Sequence, residues 1–171
     1  GTGKSSIGFE FLQQGYRMGE RVLNLNLSPI DFPEMTMPEG DASAPRGVYD
    51  QVQLIPDGEL FKKVTGSGII SSHHETRKAL MEMIQNYFNQ HIPDRIYLGS
   101  VFDLLDVFED RGYAQKFISS FFKFCRQNNI VFMGSLDRAA NEPHSSILFL
   151  ADGILELSHK DRARYIQISK H

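Results

Sequence analysis

The sequence predicts an α/β domain, a mainly parallel central sheet flanked by helices with an antiparallel β-hairpin at its C-terminal end. Three observations predict it. Gly1-Thr2-Gly3-Lys4-Ser5-Ser6 runs into a helix-compatible stretch and then a strand, the loop–helix–strand order of half a βαβ unit. Two continuous apolar runs, Ile96-Tyr97-Leu98 and Ile130-Val131-Phe132-Met133, have the composition of strands covered on both faces. Two alternating stretches around a tight turn close the chain.

Taken in order, Ser5–Met18 is the first helix, with Ile7, Phe11 and Leu12 on one face and Gly19 as the residue that ends it. Val22–Leu27 alternates, placing three leucines on one face of a strand. Pro29, Pro33, Pro38 and Pro45 then punctuate a loop. Residues 29–70 read as a loop-rich insertion, holding one candidate short strand at Gln51–Ile55 and turns at Pro56-Asp57-Gly58 and Gly66-Ser67-Gly68.

Ser72-His73-His74-Glu75 has the form of a capping box. Leu80, Met83, Ile84, Tyr87 and Phe88 follow at helical spacing until Pro93 stops the helix. Arg95–Leu98 is a short strand of the buried type. Tyr113–Gln127 is a helix with Phe117, Phe121 and Phe124 on one side, ended by Asn128-Asn129. Ile130–Met133 is the next strand, and a polar loop follows over Ser135–Ser146. Gly153–Leu157 and Ala163–Ser169 pair around His159-Lys160-Asp161-Arg162.

At 171 residues and 41% hydrophobic composition, residues 1–171 are expected to form one domain with a sizeable core. A formal charge of −3 lacks the basic excess of a nucleic-acid footprint. The single cysteine, Cys125, excludes an internal disulfide framework and suits a reducing compartment. No apolar run approaches the roughly 18–20 residues that span a bilayer, and no signal peptide is visible. A soluble, cytoplasmic domain is expected. The numbering starts inside the glycine-rich motif, so the strand that should precede that loop is expected to lie before Gly1.

Gly3, Lys4 and Ser5 supply the second half of G-x-x-x-x-G-K-S/T. That pattern needs a glycine for close backbone approach to a polyphosphate, a lysine for the β/γ-phosphates and a hydroxyl for magnesium. A helix N-terminus then faces the anion. His73-His74 does not read as a metal pair: adjacent side chains diverge, and no cysteine or acidic cluster supports them. The phenylalanines of 113–127 read as core. Arg162 and Arg164 carry no assigned role.

The order of elements resembles the RecA superfamily of ATPases, and within it the KaiC-type domains. Gly1–Ser6 is similar to the family's phosphate loop. Gly19-Glu20-Arg21-Val22-Leu23-Asn24-Leu25 resembles the entry to its second strand, and Arg95–Ser100 stands where its magnesium-side strand belongs. Ala151-Asp152-Gly153-Ile154-Leu155-Glu156-Leu157 with Arg164–Lys170 is similar to its terminal hairpin. The resemblance implies ATP and Mg2+ as cofactors, with Gly1, Thr2, Gly3, Lys4, Ser5 and Ser6 forming the nucleotide cradle. It also implies that Lys170 reaches the nucleotide of a neighbouring subunit in a homo-oligomer, a hexameric ring for example, with other signalling or regulatory proteins as further partners.

Two departures bear on activity. Where the family places glutamates after the second strand, Ser28-Pro29 stand here; where it places a magnesium-side aspartate, Gly99 stands. Each loss would cost about 2–4 kcal/mol of transition-state stabilisation, on the order of 10²–10³ in rate. The expectation is therefore a domain that binds ATP and hydrolyses it weakly or not at all, with a regulatory or assembly role. Asp103 is the substitute candidate on the metal side, although its plainer role is a helix N-cap. Asp31 and Glu34 are the substitute bases. An active ATPase using these acids, or an interaction module that binds no nucleotide, are the alternatives.

Overall fold

The computed structural model describes residues 3–26, 47–53, 82, 84–101, 111–136, 148–160 and 163–169. Helix α1 spans Lys4–Arg17, and strand β1 spans Arg21–Asn26. Gly19 adopts φ 82°, the left-handed conformation that ends a helix at least cost in glycine. Strand β2 covers Val48–Gln53 and β3 Arg95–Leu98. Helix α2 is described over residues 84–90. Helix α3 is Arg111–Gln127, followed by β4 at Val131–Gly134. Strands β5 (Ile154–Lys160) and β6 (Ala163–Ser169) complete the order.

Four strands form one parallel sheet in the order β2-β1-β3-β4. Strand β1 is central, and its alternation sorts two cores. Leu23 and Leu25 join Ile96, Leu98, Ile84, Ile118, Phe121 and Cys125 on the face covered by α2 and α3. Val22 joins Tyr97 and Leu12 of α1 on the other. Leu12, Val22, Leu23 and Ile96 are fully buried, and each such side chain contributes about 1.5–3 kcal/mol of transfer free energy. The phenylalanine stripe of α3 packs as its spacing predicts: Phe88 of α2 lies 4.8 Å from Phe124 and 6.2 Å from Phe121, centroid to centroid.

Several boundaries differ from the sequence reading. Strand β2 starts at Val48, three residues before the expected Gln51, because Val48 N–H donates to Glu20 O and brings the chain alongside β1. Part of the 29–70 stretch is therefore a sheet strand. Strand β5 runs on to Lys160, so only residues 161 and 162 separate it from β6 and the register closes on Lys160↔Ala163. The hairpin forms a two-stranded sheet of its own among the described residues, with no ladder to the four-stranded one. Strand β4 was expected to be covered on both faces. Val131 is instead 55% exposed, and among the described residues β4 is the last of the four paired strands.

Helix α1 meets the sheet along Gly8, Leu12 and Gly15, with Ile7 and Phe11 at the flanks of that stripe rather than at its centre. Gly8 has to be glycine for this approach, since a Cβ there would overlap the Tyr97 ring.

Candidate functional site

The strands run parallel, and α1 runs back across them. Its C-terminal turn therefore lies over the strand starts, and its N-terminus lies over the strand ends. Gly15 faces Arg95 at the start of β3, and Gly8 faces Tyr97 near its end. In open parallel sheets this carboxyl end is where ligands bind.

At the tip of α1, Gly3 takes φ 94° as the residue preceding Lys4, and its carbonyl accepts from Ile7 N–H at 3.1 Å. A Cβ on Gly3 would meet none of the described residues within 4 Å, and its φ of 94° is the conformation that favours glycine. The first turn carries no acidic residue. The leading amides and the positive end of the helix dipole are thus not answered by an acid of that turn, which favours an anion. Lys4 is partly exposed, and Ser5 and Ser6 are exposed.

Beneath that tip the strand ends are built from neutral residues. Asn26 and Gln53 stand opposite each other at the ends of β1 and β2. Gly99 follows β3, its N–H donating to Leu25 O at 3.4 Å. Ser135 follows β4, where its N–H donates to Leu98 O at 3.1 Å and its carbonyl accepts from Val101 N–H at 2.9 Å. The Ser135 hydroxyl donates to Gly99 O. Two residues lower, Gln51, Asn24, Tyr97 and Met133 lie side by side. Asn24 Nδ2 donates to Tyr49 OH at 3.2 Å, while its buried Oδ1 has no hydrogen-bond partner among the described residues. Burial raises the pKa of both Tyr49 and Tyr97, opposed by hydrogen bonds to Asn24 and Ser135 respectively.

Of the residues singled out from the sequence, Gly3, Lys4, Ser5 and Ser6 come together at this tip. Gly1, Thr2, Asp103 and Lys170 lie outside the described residues, as do Ser28, Pro29, Asp31, Glu34, His73 and His74. No group of three or more His, Cys, Asp or Glu residues suited to a metal ion occurs among the described residues. Sequence reasoning missed Tyr97 and Ser135. Tyr97 reads as one more apolar strand residue, and Ser135 as the start of a polar loop.

No family model matches the chain, and no curated protein matches it. Among solved structures, the chain is similar to a KaiC-like protein from the hyperthermophilic archaeon Pyrococcus horikoshii. The TM-score is 0.54 at 15% identity, over 99% of this chain and 75% of that one. At that identity the likeness shows the fold: a parallel sheet flanked by helices and followed by an antiparallel hairpin, as in a KaiC-like protein. No helix among the described residues is long and apolar enough to cross a membrane.

Proposed function

We propose that this chain is a KaiC-like, RecA-superfamily domain that holds ATP with Mg2+ at Gly1–Ser6, hydrolyses it slowly or not at all, and serves as a regulatory or assembly module. The observation that carries the reading is the helix that starts at Lys4, directly after a left-handed Gly3, over the carboxyl ends of a parallel sheet. The residues fit the nucleotide. Gly3 leaves its surroundings open to a close approach, Lys4 supplies a cation for the β/γ-phosphates, and the exposed Ser5 hydroxyl is available to magnesium. Bound Mg2+ would neutralise phosphate charge. Gly1, Thr2 and Ser6 complete the cradle, and Lys170 reaches the nucleotide of a neighbouring copy in a homo-oligomeric ring.

The neutral strand ends support slow turnover. Gly99 offers no carboxylate to order a metal's water shell, and Ser28-Pro29 offer none to orient a nucleophilic water. Asp103 would have to supply the metal-side group, with Asp31 or Glu34 as base, for an ordinary ATPase rate. Thermal melting with Mg-ATP tests binding: ligand at about 100 times its dissociation constant adds about 2.7 kcal/mol, and Lys4→Ala removes the shift. No shift in the parent protein would favour a nucleotide-free interaction module. Steady-state phosphate release tests turnover, and a rate that Asp103→Asn abolishes would replace the binder with a working ATPase.

A further inference from the structure

Tyr97 is 1% exposed at the centre of the sheet, between the wholly apolar Ile96 and Leu98. Burying a hydroxyl among helices and strands carries a cost unless it is bonded, so its partner is informative. The hydroxyl end of the ring, Cζ with its two ortho carbons, abuts α1 at Gly8, one helical turn from Lys4. Ser135 lies on the same face of the sheet, two residues beyond Met133, the strand partner of Tyr97, and is the side chain that offers that hydroxyl a hydrogen bond. Ser135 is in turn fastened to the end of β3 through Leu98 O and Gly99 O, and to Val101 N–H. A chain of direct contacts thus joins the first turns of α1 to the ends of β3 and β4.

We infer that Tyr97 is a positioning residue: pinned by Ser135, its ring sets where the first turns of α1, and with them Gly3-Lys4-Ser5, sit over the ends of β3 and β4. Its consequence for affinity rests on the nucleotide reading above; its consequence for the helix does not. Tyr49 provides the internal comparison. It lies on the same face of the sheet, but its hydroxyl bonds Asn24 and Gln51 and takes no part in the Gly8 contact.

The test removes one hydroxyl at a time, in Tyr97→Phe, Ser135→Ala and Tyr49→Phe. In the nucleotide-free protein, amide hydrogen exchange is read at Ile7 and Gly8 against Tyr16 and Arg17 of the same helix. Losing the hydrogen bond should speed exchange at Ile7 and Gly8 about five-fold in Tyr97→Phe and Ser135→Ala, leave Tyr16 and Arg17 unchanged, and do neither in Tyr49→Phe. The double variant should lose no more than either single one. Mg-ATP affinity, measured by titration calorimetry, should fall by a similar factor in the same two variants.

Unchanged exchange at Ile7 and Gly8 in both variants, or an equal effect from Tyr49→Phe, would overturn the inference. If Tyr97→Phe does not fold, Ser135→Ala decides through the contrast of Ile7 and Gly8 with Tyr16 and Arg17, since it removes the same bond together with the hydroxyl's bond to Gly99 O and leaves the packed ring in place. A parent protein that binds no Mg-ATP would sink the nucleotide reading alone, and the exchange measurement would still decide the role of Tyr97.

Discussion

The two ends of the parallel sheet are built from different chemistry. At the strand starts, charge is paired at every turn. Arg21 Nη1 and Tyr87 OH both donate to Asp50 Oδ2, at 2.8 and 2.7 Å. Arg95 bonds Glu20 and lies 5.2 Å over the Phe11 ring. Asp94 Oδ2 accepts from Arg21 N–H at 2.8 Å. At the strand ends stand Asn26, Gln53, Gly99 and Ser135, beneath the amides of a helix whose first turn lacks acids. The difference separates stability from binding. Ion pairs that tie the strand starts to one another, and the Arg95–Phe11 and Tyr87–Asp50 contacts that hold α1 and α2 against them, sit where they cannot compete with a polyanion at the tip of α1.

Removing charge from the paired end should have the largest effect. Asp50→Ala leaves Arg21 and Tyr87 without their shared acceptor, and the urea midpoint should report a loss of about 2 kcal/mol. Mg-ATP binding at the other end should be unchanged. Alkaline pH probes the same cluster. Burial, reinforced by the Asp50 hydrogen bond and charge, holds the Tyr87 proton well above its ordinary pKa. The unfolded chain loses that proton near pH 10 and the folded one keeps it. The stability so contributed is therefore full below pH 10 and declines above it, by at most about 1.4 kcal/mol per pH unit. Chemical denaturation between pH 9 and 11 should show a shallower decline in Tyr87→Phe.

Smaller effects sharpen the contrast. Glu20→Gln removes the charge facing Arg95 but keeps its contact with Phe11, and should cost about 1 kcal/mol in the same denaturation experiment. Ser6→Asp acts at the opposite end and in the opposite sense. A carboxylate in the first turn should stabilise the nucleotide-free protein by about 0.5 kcal/mol through the helix dipole, while suppressing the thermal shift with Mg-ATP.

Much of this was legible from residue order alone. The leucines of β1 and the phenylalanines of α3 each express a period that packing enforces. Strand β2 was only partly legible, because Asp50 interrupts its apolar pattern. Its place depends on Arg21 and Tyr87, which come from β1 and α2. Asn24 reads as the polar side of an alternating strand, whereas α1 covers it completely. For the candidate site, the motif announced Gly3, Lys4 and Ser5, but nothing local marked the Tyr97–Ser135 link. It joins residues 38 positions apart and exists only once β3 and β4 are paired.

The lone cysteine has a practical consequence. Cys125 is 2% exposed, and burial pushes its thiol up to about 12, so in the native state it is both shielded and protonated. Thiolate is the reactive form, and α3 has to come away from the sheet before a labelling reagent can reach it. Unaltered, the protein therefore carries its own clock for the opening of its core. The rate at which Cys125 is modified at fixed pH would report how often that core comes apart, and how far a bound ligand slows it.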